Sequence, residues 1–230
     1  MIKSEDNKQE LLLISSYISK QLKQKFGKGP ETCYSIIKEN VMAVRVQQFR
    51  TPAEDVLLHK NELGLALKFR SVIMKAIFEE LKQEIYRITG FKAVTFFHDW
   101  NYESNIGLIL LFDDPTPVMN SKFESKEDSL LCEQVQIVSS RVHKTPSDVN
   151  LLKMNSSLYI FESKDVMIRT EHLLHEKGFS DILFERSRDI QQRFNHYRGE
   201  FELIINKSIS DICIMWDYKN NKSYSVFWLK

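Results

Sequence analysis

The chain has 230 residues, 43% hydrophobic and 27% charged, which suits one large or two small soluble domains. Its 32 basic and 31 acidic residues leave a formal charge of +1, which argues against a dedicated binder of nucleic acid or acidic lipid. Three scattered cysteines without CxxC spacing argue against a disulfide framework and for reduced thiols in a cytosolic protein.

The first ten residues, MIKSEDNKQE, are polar, lack the apolar core of a signal peptide and are expected to fray. From Leu11 to Phe26 the spacing of Leu11, Ile14, Ile18, Leu22 and Phe26 predicts a helix. Lysines crowd its last turn, where cations favour the negative helix end, and Gly27 and Gly29-Pro30 stop it. Gly27-Lys28-Gly29 is no phosphate loop, because it follows a helix and lacks the GxxxxGK[ST] pattern. Residues 31–40 read as a connection and Val41–Val46 as a strand.

Thr51–Thr89 reads as one long helical segment, the element on which the rest packs. Thr51 is placed as N-cap, Pro52 at the first helical position and Glu54 at the capping-box position. Leu63, Leu67, Met74, Phe78, Leu81, Ile85 and Ile88 form its apolar stripe, and Gly90 ends it. Arg70 interrupts that stripe. It must either snorkel out, pair with a carboxylate or a carbonyl, or contact a partner or anion. Phe91–Trp100 and Ile106–Phe112 then read as an antiparallel hairpin. A three-stranded sheet with two helices on one face is the expected unit. Residues 113–126 are polar, charged and proline-containing, and read as a linker.

Shifted by 116 residues without a gap, the chain matches itself. Arg70-Ser71 fall on Arg186-Ser187, Leu57-Leu58-His59 on Leu173-Leu174-His175, and Trp100 and Tyr102 on Trp216 and Tyr218. The expected fold class is therefore α+β, two tandem copies of an α-β-α-β-β unit over 11–112 and 127–230. The second copy reads as degenerate, with the Thr-Pro-x-Glu cap lost at Met167–Thr170. Gly90 becomes Asn206, another residue tolerant of left-handed backbone.

FGKGP at Phe26–Pro30, VMAVRV, TPAE at Thr51–Glu54, Arg70 and TGFKAVTFFHD at Thr89–Asp99 together resemble the MpsC family, named for a Na+-translocating, membrane-potential-generating system and found chiefly in bacteria. The resemblance covers about residues 10–112 and reaches 127–229 only through the duplication. It implies a small cytosolic component near a membrane ion or inorganic-carbon uptake system. The other parts of such systems resemble a proton-pumping subunit and a carbonic-anhydrase-like partner. It carries no catalytic residues onto this chain.

No GxSxG, HExxH or Cys–His pattern is present, so no catalytic residue, metal or cofactor is assigned. His172 and His175 are three apart, but no third metal ligand has a convincing spacing. His98-Asp99 reads as a solvated strand end, and the Trp and Tyr pairs as packing at a hairpin turn. The expected protein is a non-enzymatic, cytoplasmic interaction protein without a transmembrane segment, peripheral to the membrane if it works there. The two copies are read as an intramolecular pseudo-dimer, with a homodimer also open. Its sheet or Arg70, Arg186, His59 and His175 would meet a protein partner, such as a membrane transport system. Alternatives are a ligand-binding protein or enzyme with its site between the copies, and a nucleic-acid-binding regulator.

Overall fold

The computed structural model describes residues 3–115, 119 and 125–230, with side chains from residue 8 onward. The chain divides into two compact units, Met1–Pro117 and Val118–Lys230. Most of the expected linker, 113–126, lies outside the described residues.

In the first unit, α1 (Lys3–Phe26) leads to the strands β1 (Thr32–Lys38) and β2 (Val41–Gln47). Next come α2 (Pro52–His59), α3 (Leu63–Thr89), β3 (Thr95–Asn101) and β4 (Ile106–Phe112). Helix α1 thus begins within the stretch expected to fray. The sheet is antiparallel, in the order β1-β2-β4-β3. Ile14, Ile18 and Leu22 of α1 are buried, and α1 packs on α3 and β1.

The sheet has four strands instead of three, because residues 31–40 form β1 and its turn. That turn, Glu39-Asn40, has no glycine, yet Glu39 takes φ 54°, a left-handed conformation that glycine or asparagine ordinarily marks. The long helical segment is also two helices rather than one. Lys60–Glu62 break it, with Asn61 at φ 59° and Glu62 N–H donating to Leu57 O at 2.9 Å. Asparagine tolerates that backbone, so the chain turns a corner while the apolar stripe continues. Gly90 at φ 71° ends α3, as its spacing predicts.

The second unit has the elements α4 (Lys126–Val142), β5 (Asp148–Asn155), β6 (Leu158–Lys164), α5 (Arg169–Glu176), α6 (Ser180–Asn195), α7 (Arg198–Ile205), β7 (Ile209–Asp217) and β8 (Lys222–Leu229). Its antiparallel sheet, β5-β6-β8-β7, repeats the strand order of the first. Helices α4, α6 and α7 bury Leu131, Val135, Ile190, Phe194 and Phe201 against Phe161, Ile212 and Phe227 of the strands. Asn206 caps α7 at φ 53°, as Gly90 caps α3.

The repeat is not free of gaps. The pairing of β5 shifts register between Lys153 and Asn155, which inserts one residue. From there through α5 the offset is 117, so Ile168 stands where Thr51 does and Glu171 where Glu54 does. The cap is therefore only half lost, since Glu171 Oε2 still accepts from Ile168 N–H at 3.0 Å. The offset returns to 116 by Arg186, after the start of α6.

Candidate functional site

In the first unit, Arg70 is 1% exposed. It lies on the core face of α3 because it stands in the apolar stripe. Its Nε donates to Glu54 Oε1 at 2.5 Å, and Nη2 donates to Phe49 O at 3.0 Å and to Glu54 Oε2. Glu54 is 0% exposed, and its Oε2 also accepts from Thr51 N–H at 2.9 Å and Thr51 Oγ1 at 2.8 Å, completing the capping box. Tyr102 OH donates to Oε1 at 2.8 Å. Burial alone would raise the Glu54 pKa. The Arg70 bonds and charge, with the Thr51 N–H, outweigh it and hold the carboxyl below its ordinary range.

Aromatic rings enclose the pair. The Arg70 guanidinium carbon sits 4.1 Å from the Trp100 ring centre, 4.8 Å from Phe49, 5.3 Å from Phe26 and 5.4 Å from Tyr102. Trp100 closes tightly over Gly107, where an added Cβ would stand 1.8 Å from its ring. Its Nε1 donates to His98 Nδ1 at 3.0 Å. His98 is thus half-buried and bonded, not a solvated strand end, and burial with the Arg70 and Lys75 charges pushes its pKa down to about 4. Of the options open to it, Arg70 pairs with a carboxylate and a carbonyl. Enclosed in this way, it offers no docking surface.

The second unit rebuilds this cluster in an open form. Arg186 Nε donates to Glu171 Oε1, and Nη2 lies 3.2 Å from His143 Nδ1. His143 Nε2 lies 3.0 Å from Glu171 Oε2. A guanidinium only donates, so the network assigns Nδ1 as acceptor and Nε2–H as donor to the carboxylate. Both ring nitrogens are engaged. Burial would raise the Glu171 pKa, but the bonds from His143, Ile168 N–H and Arg186 hold it down. Arg186 is 38% exposed, against 1% for Arg70.

Four replacements account for the opening. Phe26 and Phe49 give way to the smaller Val142 and Val166, and Gly27 to His143. Gly107, which pairs with Trp100, gives way to Ser223, which pairs with Trp216. A serine there leaves no room for the closed indole position, and Trp216 is half-buried. It stacks on Tyr218 at 5.6 Å, and Tyr218 on His175 at 5.9 Å. A small cleft remains, about 20 Å³, lined by His143, Lys144, Trp216, Ser223 and Ser225 among others.

Of the four residues singled out from sequence, the structure brings Arg186 and His175 to the rim of one aromatic cluster. Arg70 is buried in the other unit, and His59 ends α2 as an exposed side chain. The two histidines do not correspond: across α5 the 117-residue offset sets His59 on Glu176 and His175 on Leu58. Glu171 and His143 were missed, since the gap-free alignment hid the first and set the second on a glycine. Among the described residues, no group of three His, Cys, Asp or Glu side chains is placed to hold a metal.

No helix among the described residues is long and apolar enough to cross a membrane. No curated protein and no solved structure matches the chain. Residues 8–114 do match a family model, described as Na+-translocating membrane potential-generating system (MpsC). The motif residues Phe26, Thr51, Glu54, Arg70 and Asp99 all fall within it, and three of them meet directly in the buried cluster. The first unit, which the match spans nearly end to end, therefore belongs to the MpsC family.

Proposed function

We propose that the protein is a non-enzymatic docking component of a Na+-linked, membrane-potential-generating system, held at the cytoplasmic face by contact with a membrane-embedded subunit. The family match supports the context. The observation that carries the docking role is an exposed apolar face on one helix pair, found in both units. Val56 on α2 is 60% exposed, and its counterpart Leu173 on α5 is 53% exposed. Leu65 on α3 is 51% exposed, and its counterpart Ile182 on α6 is 50% exposed. In the first unit Phe69 and Val72 extend the row at i, i+4 and i+7, the spacing by which one helix receives another.

Scattered exposed apolar side chains are ordinary; the same positions exposed in both units, and a row of three along α3, are a surface with a use. The full-length protein carrying L65E and V72E together should keep its melting temperature within a few degrees, because surface changes cost about 0.5 kcal/mol or less. It should fail to bind native membranes that retain the ion-translocating subunits. Unchanged binding by the double variant would end this reading.

A further inference from the structure

Trp216 is among the residues lining the cleft in the second unit. Trp216 Nε1 is buried and has no hydrogen-bond partner among the described residues. In the first unit the matching indole donates to His98. Ile214 occupies the position of His98 in the second and offers no acceptor. An unmade bond at a buried N–H is costly, so a group that supplies an acceptor there is favoured.

The lining states what that group is. Ser139, Ser223, Ser225 and Lys144 are among its lining residues, and no acidic side chain lines the space. Glu171 lies behind His143 and is already matched by Arg186. The Lys144 Nζ donates to Met167 O at 2.8 Å, which fixes its charge beside the cleft. A volume of about 20 Å³ admits roughly one oxygen-sized atom, while Val142, Val166, Ile190 and Phe194 supply an apolar wall. We propose that this cleft binds the carboxylate of a small organic acid, one oxygen accepting from Trp216 Nε1–H and the rest directed outward. In the first unit Trp100 instead packs against Phe49 and Arg70. The proposed site stands independently of the docking role.

The test is the indole N–H resonance of Trp216 in the intact, 15N-labelled protein, assigned by its disappearance in W216F. Sodium acetate or sodium formate, titrated at constant ionic strength with sodium chloride, should shift this resonance saturably and leave that of Trp100 in place. The variant S223G/I214H restores the glycine and the acceptor of the first unit, and should weaken acetate binding at least tenfold. If that variant fails to fold, W216F provides the check: its calorimetric acetate binding should fall by the same factor. No saturable shift with acetate or formate would overturn the proposal. So would an equal shift with chloride alone, or a response to phosphate without one to carboxylates.

Discussion

Arg70 and Glu54 set the terms at the scale of single residues. Each is a charge removed from water, and each is tolerable only because the other is there. Replacing Arg70 with methionine strands a buried carboxylate and should cost about 3–5 kcal/mol in a urea melt of the first unit. Arg186→Met should cost less, on the order of 1 kcal/mol, because Arg186 is 38% exposed and Glu171 keeps its bonds to His143 and Ile168. The pH dependence follows from the lowered Glu54 pKa. A carboxyl held below its unfolded value adds stability in full above about pH 4.5 and loses it as pH falls through the folded value. Stability measured between pH 6 and 3 should therefore fall less steeply in E54Q than in the parent, from a lower starting level. His98 works in the same direction: its folded pKa of about 4 means the unfolded chain takes up the proton first, so this group withdraws stability as pH drops from about 6.5 to 4. Its ring resonances should stay fixed from pH 8 to pH 5 and move only near pH 4; a midpoint above 6 would show the ring to be solvated after all.

At the scale of elements, much of the fold was legible from spacing and caps. The Thr51–Glu54 box, the α3 stripe and the Gly90 stop with its Asn206 counterpart stand as read, and the β3–β4 hairpin forms with its first strand starting at Thr95 rather than Phe91. What was not legible has two physical causes. The β1–β2 turn and the α2–α3 corner place Glu39 and Asn61 in left-handed backbone, where glycine usually gives the signal. A bulge in β5 then moved the register by one residue, which concealed Glu171 as the partner of Arg186. The candidate site was legible only as an Arg-Ser pair and an aromatic hairpin; the carboxylate that explains Arg186 sits fifteen positions away and needed the fold to be found. Gly107 is the element-scale hinge between closed and open forms. Gly107→Ala should push Trp100 off Arg70 and lower stability by about 1–3 kcal/mol, read as a lower melting temperature and a red-shifted tryptophan emission.

For the whole molecule, two units repeat one arrangement of elements. They share a strand order and a Glu–Arg pair, yet one encloses its pair and the other leaves its arginine 38% exposed. Both keep the exposed apolar positions on the helix pair that follows the second strand. The exposed positions kept in both units are what the proposed docking role rests on. The most direct test is photocrosslinking in the native cell from a benzoylphenylalanine placed at Phe69. The account predicts an adduct with a membrane-embedded subunit of an ion-translocating system, lost when Leu65 and Val72 are changed to glutamate. Adducts confined to soluble proteins, or an adduct indifferent to those changes, would contradict it.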